Sequence, residues 1–317
     1  MISIIIPAFN EQENVKTIVE KIDNLLVDNN IKHEFVIVND GSTDNTWEEI
    51  QSLCEAYSVT AINFSRNFGK ESAIFAGIEN CIGDACVLID CDLQHPPEKI
   101  IEMYNIWQNN DIDIVEARKS SRGKENVFYK SFAKMFYKIM NTGTGFNMDN
   151  TSDFKLLDRR VIDALNKMPE RLTFFRAMSS WVGFKTEKIY FDVAEREKGK
   201  TKWSLSKLFK YAFNSITSYS SAPMQIVTIV GVITFIVSLI LGANTLYNKI
   251  TGNSLEGFST VILLQLFTSS VIMFSLGIIG YYLSKIYEEI KNRPRYIISE
   301  IKKSNGKKEN IDEKNTD

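Results

Sequence analysis

Histidine, cysteine and proline are scarce in this 317-residue chain. Its two histidines are His33 and His95, and its four cysteines, Cys54, Cys81, Cys86 and Cys91, form no C-x-x-C pair. Such a set argues against a zinc centre, which draws on thiolates and imidazoles at close, regular spacing. Three of the cysteines lie in or beside one apolar run, Ala85–Ile89, and read as small buried residues of a reducing compartment. The first residues, MISIIIPAFNE, have no basic n-region and too short an apolar run for a secretory signal, so the soluble part is expected in the cytoplasm. Charge is missing altogether from Met224–Leu246 and from Phe258–Ser284. The formal net charge of -2 therefore averages over unlike parts, and no nucleic-acid partner is expected.

The two uncharged stretches are each long enough to cross about 30 Å of hydrocarbon as a helix. With the short polar connector Tyr247–Gly257 they predict a transmembrane hairpin, and two such runs side by side disfavour a buried soluble pair. The connector carries one basic residue, Lys249. Lys200, Lys202, Lys207 and Lys210 precede the first span, and Lys285, Lys291, Arg293 and Arg295 follow the second. By the distribution of Lys and Arg, both ends face the cytoplasm of a multi-pass protein of the cell membrane. The expected organisation is a catalytic domain over 1–202, a juxtamembrane amphipathic helix over 203–222, two spans within 223–284 (about 224–246 and 258–284) and a charged tail over 285–317. The part of the tail from Lys302 is expected to be disordered.

The first half alternates strand-like and helix-like runs. Ile2–Ile6, Phe35–Val38, Thr60–Phe64 and Ala85–Ile89 read as strands. Glu11–Val27, Thr46–Tyr57 and Lys70 to about Cys81 read as helices, the first carrying Val15, Ile18, Val19, Ile22, Leu25 and Leu26 at helical spacing. This alternation predicts an α/β fold, a mostly parallel sheet with helices on both faces. Ligands bind such sheets at the carboxyl ends of the strands. Polar clusters fall there four times: Asn10-Glu11, Asp40-Gly41-Ser42, Ser65-Arg66-Asn67 and Asp90-Cys91-Asp92.

The last cluster carries the chemistry. Side chains two apart on an extended chain point the same way, so Asp90 and Asp92 can face one hard cation, Mg²⁺ or Mn²⁺. Alone, such a pair is also what a solvated acidic loop looks like. Beside a diphosphate, a cation there would neutralise the charge left by a departing nucleotide. Gln94 and His95 extend the polar rim. Asp40 is read as functional, able to accept hydrogen bonds from a base or ribose, and Asp44 as part of a turn and helix cap.

Pro7-Ala8-Phe9-Asn10-Glu11, Asn39-Asp40-Gly41-Ser42-Thr43-Asp44 and Asp90-Cys91-Asp92-Leu93-Gln94-His95-Pro96 together resemble the family 2 glycosyltransferases of GT-A fold, Rossmann-like in their sheet, over roughly the first 120 residues. The resemblance implies that Pro7, Phe9, Glu11, Val38 and Asp40 line a nucleoside pocket. It places Asp90 on the ribose or metal side with Cys91 in the donor site, and Asp92 with Gln94 on the metal. Arg118, after the strand-like Ile112–Ala117, faces the phosphates.

Thr151-Ser152-Asp153-Phe154-Lys155-Leu156-Leu157-Asp158-Arg159, Phe174-Phe175-Arg176 through Phe184, and Arg196-Glu197-Lys198-Gly199-Lys200-Thr201-Lys202-Trp203 resemble the polyprenyl-phosphate branch. That branch includes the dolichyl-phosphate mannose synthases and, with two spans, the bacterial bactoprenol glucosyltransferases. A Q-x-x-R-W motif, carried by the processive polysaccharide synthases of this fold, is absent. The resemblance implies inverting transfer of a sugar from a nucleotide-sugar to undecaprenyl phosphate, with UDP-glucose first and UDP-N-acetylglucosamine next. On this reading Asp153 is a general base, with Asp92 beside it in catalysis, and Arg196, Lys200 and Lys202 clamp phosphates. Asp153 also fits a helix N-cap before Phe154–Leu165, and the basic segment also fits a solvated loop. Arg118–Lys138 and Trp203–Ser221 read as basic amphipathic helices at the membrane surface or as ordinary core helices. A transferase for another lipid or glycan, and a non-catalytic membrane scaffold of the same fold, are the competing functions. A homo-oligomer is an open partner class.

Overall fold

The computed structural model describes residues 1–119, 151–168, 174–192, 222–251 and 257–304. They form two units. One comprises the described residues up to 192 together with 294–304, and the other comprises 222–251 and 257–293. Among the described residues the elements are β1 (Ile2–Ala8), α1 (Val15–Asp28), β2 (His33–Asn39), α2 (Thr46–Ala56), β3 (Val59–Phe64), α3 (Lys70–Asn80), β4 (Ala85–Leu88), α4 (Lys99–Asn109), β5 (Ile114–Lys119), β6 (Lys155–Asp158), α5 (Arg159–Asn166), α6 (Phe175–Trp181), β7 (Thr186–Phe191), α7 (Ala222–Ile250), α8 (Phe258–Ile290) and β8 (Ile298–Lys303).

The first unit is an eight-stranded sheet of order β7-β5-β6-β4-β1-β2-β3-β8. β3, β2, β1 and β4 run parallel. β6 enters antiparallel between β4 and β5, and β7 lies parallel to β5. The central strands are buried on both faces, which is why they read as unbroken apolar runs. In β1, Ile2, Ile4 and Ile6 enter one core and Ile5 the opposite one. The first core is covered by the buried stripe Val15, Ile18, Val19, Ile22 and Leu26 of α1, an apolar face at the 3.6-residue period. The second is covered by α3, with Ala73, Ile74, Phe75, Ala76 and Ile78, and by α5. Doubly covered parallel strands bring all their carboxyl ends to one rim.

Two expectations are corrected. A helix over 154–165 is not formed: β6 precedes α5. Lys155, the residue that breaks the apolar pattern, is not solvated but sits 2% exposed in the strand, its charge met by Glu116 and Ser179. The helix begins only at Arg159, and Asp158 caps it by accepting the Arg160 N–H at 2.9 Å. The second correction concerns the C-terminus. Residues 285–317 are not all a tail, because β8 completes the sheet antiparallel to β3, pairing Ile62 with Ile301 and Asn63 with Glu300. Its two isoleucines, Ile298 and Ile301, stand three apart among polar and charged residues, so no two-residue alternation marks it as a strand. Pairing with an edge strand supplies the hydrogen bonds and the apolar face it lacks alone.

In the second unit, α7 and α8 run on to Ile250 and Ile290, beyond the 246 and 284 expected. Within them Val227–Asn248 and Leu264–Ile290 are long and apolar enough to cross a membrane, with mean hydropathies of 2.2 and 1.7. Outside the described residues lie Arg196, Lys200 and Lys202, all of the juxtamembrane helix expected over 203–222 except Ala222, all but the first residues of Arg118–Lys138, and 305–317.

Candidate active site

The loops after β1, β2 and β3 are tied to each other before any ligand is considered. Asn10, held at a φ of 55°, accepts the Thr43 N–H at 2.9 Å and donates its own N–H to Ser42 Oγ at 2.9 Å. The left-handed conformation is tolerable for Asn, whose short side chain bonds locally. Glu11 N–H donates to Thr46 Oγ1 at 2.8 Å. At the ends of β2 and β3, Asn39 donates to Asn63 at 2.7 Å. Gly41 has a φ of 62°, and a Cβ there would fall 2.3 Å from the Arg66 carbonyl carbon, so only glycine lets the two loops approach.

These loops and the one after β4 enclose an open cleft of about 290 Å³, lined by Pro7, Phe9, Glu11, Asp40, Lys70, Asp90, Cys91 and Asp92 among others. Seven residues singled out from sequence thus converge on one space. Phe9 is 44% exposed there, a flat apolar face suited to stacking on a base. Val38 does not line the cleft: it is fully buried in the core beneath α3. Gln94 contributes its backbone N–H to Asp92 Oδ1 at 3.2 Å. Between them Leu93 takes a φ of 59°, an uncommon conformation for a branched apolar residue that re-aims the chain directly after the acidic pair. His95 is buried under the same loop, stacked on Phe154 with ring centroids 5.0 Å apart.

Asp40 is a wall of the cleft and also its fastening. Its carboxylate accepts the N–H groups of Phe68 at 2.7 Å and Gly69 at 3.0 Å, fixing the turn into α3. Burial raises its pKa above the ordinary carboxylate value, and those two hydrogen bonds pull the other way. Burial likewise raises that of Glu11, with the charges of Asp92, Asp44 and Asp90 adding to it. Asp44 bonds the Thr46 N–H at the start of α2, the capping role its sequence context suggested.

Asp153 departs from its expected roles. It caps no helix, since β6 follows it, and its carboxylate is 6% exposed behind two cations. Arg176 of α6 grips it with Nε at 2.7 Å and Nη2 at 3.0 Å, and Lys70 of α3 reaches its Oδ2 at 2.7 Å. Burial opposes the charge, but Arg176 and Lys70 outweigh it and hold the group far below the usual carboxylate range. A carboxylate so stabilised is a poor proton acceptor. Lys70 also touches Asp90, Nζ to Oδ1 at 2.6 Å. Burial would lower its pKa, yet the two carboxylates raise it above the ordinary lysine value. Arg118, expected to face the phosphates, does not line the cleft: it is buried and donates Nε to Glu116 at 3.0 Å, and Lys155 reaches the same carboxylate at 3.2 Å. Lys70 was not singled out from sequence, and Arg176 stood only within the Phe174-Phe175-Arg176 motif, with no role assigned to it. Position at the third strand end was the available signal for Lys70.

The acidic pair fits a hard divalent cation. Asp90 and Asp92 offer carboxylate oxygens on one side of a loop, with Glu11 near enough to feel their charge, and no sulfur ligand is aimed at the cleft beyond the buried Cys91. Among the described residues no group of three or more His, Cys, Asp or Glu side chains is placed to hold a metal ion.

Glu71, next to Lys70, yields a pH prediction. Burial and the nearby Asp153 push its carboxyl up to about 7, although it accepts the Phe175 N–H at 2.8 Å at the start of α6. A raised carboxyl pKa means the folded state holds the proton more tightly. Its stabilisation is complete below the ordinary value of 4.5 and is lost as pH rises from there to about 7. The swing is about 3 kcal/mol. Glu71→Gln keeps the acceptor for Phe175 and should flatten that fall in urea or thermal unfolding between pH 4.5 and 8; parallel curves for the two proteins would refute it.

A mostly parallel sheet whose strand ends gather a D-x-D pair into a nucleotide-sized cleft defines the GT-A class of glycosyltransferases. The chain belongs to glycosyltransferase family 2: the family model described as Glycosyl transferase family 2 matches residues 3–165. It is 38% identical to an uncharacterized glycosyltransferase of Synechocystis, covering 95% of each chain. It is 36% identical to a prophage bactoprenol glucosyl transferase homolog of Escherichia coli, over 95% of this chain and 99% of that one. A bactoprenol glucosyl transferase of Shigella phage SfII is 34% identical, over 96% and 99%. The protein is a glycosyltransferase.

Proposed function

We propose that this enzyme transfers a sugar, glucose before N-acetylglucosamine, from a UDP-sugar to a polyprenyl phosphate such as undecaprenyl phosphate. Transfer takes place at the cytoplasmic face of the membrane, inverts the anomeric centre and supplies lipid-linked sugar for a cell-surface glycan. The observation that carries this reading is the joint extent of the match. The relatives named for bactoprenol align with 95–96% of this chain, a span that takes in both the cleft and the two apolar helices. The large apolar side chains of α7 and α8, among them Ile229, Phe235, Phe267 and Phe274, are exposed on the isolated chain, as lipid-facing residues must be. Lysines and arginines flank the outer ends of the two spans, which supports cytoplasmic termini.

The geometry suits the chemistry. Phe9 and Pro7 offer the nucleoside an apolar wall, with Asp40 at its edge. Asp90 and Asp92 would hold Mg²⁺ or Mn²⁺, which supplies charge neutralisation to the diphosphate leaving group. The acceptor is a phosphate monoester whose second pKa is about 6, so it is already largely ionised and needs positioning rather than deprotonation. That agrees with a site in which Asp153 is held as an anion between Lys70 and Arg176. Direct attack by such an oxygen inverts the anomeric carbon in a single displacement.

The deciding experiment gives purified full-length protein undecaprenyl phosphate and a panel of UDP-glucose, UDP-N-acetylglucosamine and GDP-mannose with Mn²⁺ or Mg²⁺, and identifies product by mass. A hexosyl phosphopolyprenol from UDP-glucose is expected. Sugar found only on a diacylglycerol or glycan acceptor refutes the polyprenyl reading, and no transfer from any donor would favour a scaffold.

A further inference from the structure

Four carboxylates line the cleft, Glu11, Asp40, Asp90 and Asp92, and among its described lining residues Lys70 is the one cation. A nucleoside diphosphate adds further negative charge. A divalent cation offsets two units, so a second positive group has to be within reach of the phosphates. The side chain of Lys70 is 42% exposed, whereas that of Asp153 is 6% exposed. Lys70 opens α3, where the helix dipole also favours anions. Its two partners differ in kind. Asp153 lies beneath it and is fixed from behind by the two-point grip of Arg176, while Asp90 belongs to the pair proposed to hold the cation.

We infer that Lys70 is a phosphate ligand of the donor site, and that Asp153 with Arg176 is the bracket that aims it. When cation and nucleoside diphosphate enter, the ammonium exchanges the Asp90 carboxylate for a phosphate oxygen and keeps Asp153. Asp90 is thereby freed for the cation, so one movement of a flexible four-carbon stem serves both. Arg176 and Asp153 stay where they are, because a bidentate pair on two separate elements has no second arrangement within reach. No bond is made or broken in this exchange. Asp153 is then a positioning residue rather than a proton acceptor.

The inference rests on the nucleotide-sugar reading of the cleft and is tested apart from it. Calorimetric titration of full-length protein with UDP in the presence of Mn²⁺, and with uridine alone, separates phosphate recognition from base recognition. Lys70→Met should weaken UDP by about 10- to 100-fold, the loss of one charge-assisted hydrogen bond, and leave uridine within about twofold. Lys70→Arg, which keeps the charge and guards against a folding defect in Lys70→Met, should recover most of the UDP affinity. Asp153→Asn should weaken UDP in the same direction and leave the shape of the pH profile of kcat unchanged. UDP affinity untouched by Lys70→Met would overturn the role of Lys70. Loss of a titrating limb in Asp153→Asn, with UDP affinity retained, would restore Asp153 as the base. Wild-type protein that binds neither UDP nor uridine would overturn the reading of the cleft itself.

Discussion

Replacing Asp92 with asparagine is expected to lower sugar transfer by about three orders of magnitude while leaving the protein folded, the size of effect that several kcal/mol of lost charge stabilisation implies. The substitution keeps the shape of the side chain and an oxygen able to accept the Gln94 N–H, so the loop after β4, with Leu93 at a φ of 59°, retains its internal bond. On the proposed reading it removes one of the two charges that would hold the cation against the diphosphate. Glu11 and Asp90 remain but cannot make up the pair, since Glu11 lies on another loop and Asp90 supplies one carboxylate alone. The measurement is the initial rate against Mn²⁺ concentration, with a melting curve as the folding control. A variant that works within about fivefold of wild type with the same Mn²⁺ dependence would end the metal assignment.

Removal of the residues after Arg293 is expected to cost the sheet unit about 5 kcal/mol, with melting about 10 °C lower, because an edge strand and an aromatic latch go together. Tyr296 stacks on Phe64 at a centroid distance of 4.8 Å and donates its hydroxyl to Glu79. Arg295 lies over the Phe75 ring at 4.9 Å, pairs with Glu79 and donates to the Met168 carbonyl at 2.7 Å. The contacts with Glu79 and Phe75 bear on α3, whose first residue is Lys70, so the strap also braces the wall of the cleft. Without β8, the N–H and C=O groups of β3 face water along an exposed edge, a known route to aggregation. Tyr296→Ala in the full-length chain is the milder arm and should cost about 2 kcal/mol. If Tyr296→Ala lies within about 0.5 kcal/mol of wild type in urea unfolding, residues 294–304 behave as an appended tail and the latch carries no weight.

The strand-end motifs were legible because they are local. A β-branched run followed by a polar cluster states both the strand and where it stops, and the D-x-D spacing states which side chains share a face. The resemblance to family 2 rests on three such clusters in order, and the chain's match to that family spans the same region. Likewise two uncharged stretches foretold two helices of spanning length, because the hydrocarbon thickness sets a length that needs no partner to be read.

What the sequence by itself determined, then, was every feature written in one run of consecutive residues: the alternating elements, the acidic pair and the apolar spans. The tertiary structure alone decided which charges meet. Lys70 and Asp153 are 83 positions apart and Asp153 and Arg176 are 23 apart, and no periodicity relates them. Read singly, Asp153 resembled a base or a cap; packed between two cations, it became a bracket. Ile298–Lys303 read as charged tail until β3, more than 230 residues earlier, offered it an edge. The physical reason is the same in both cases. A side chain's solvation, and hence its charge state and role, is set by what folding brings against it, and local pattern carries no record of that neighbour.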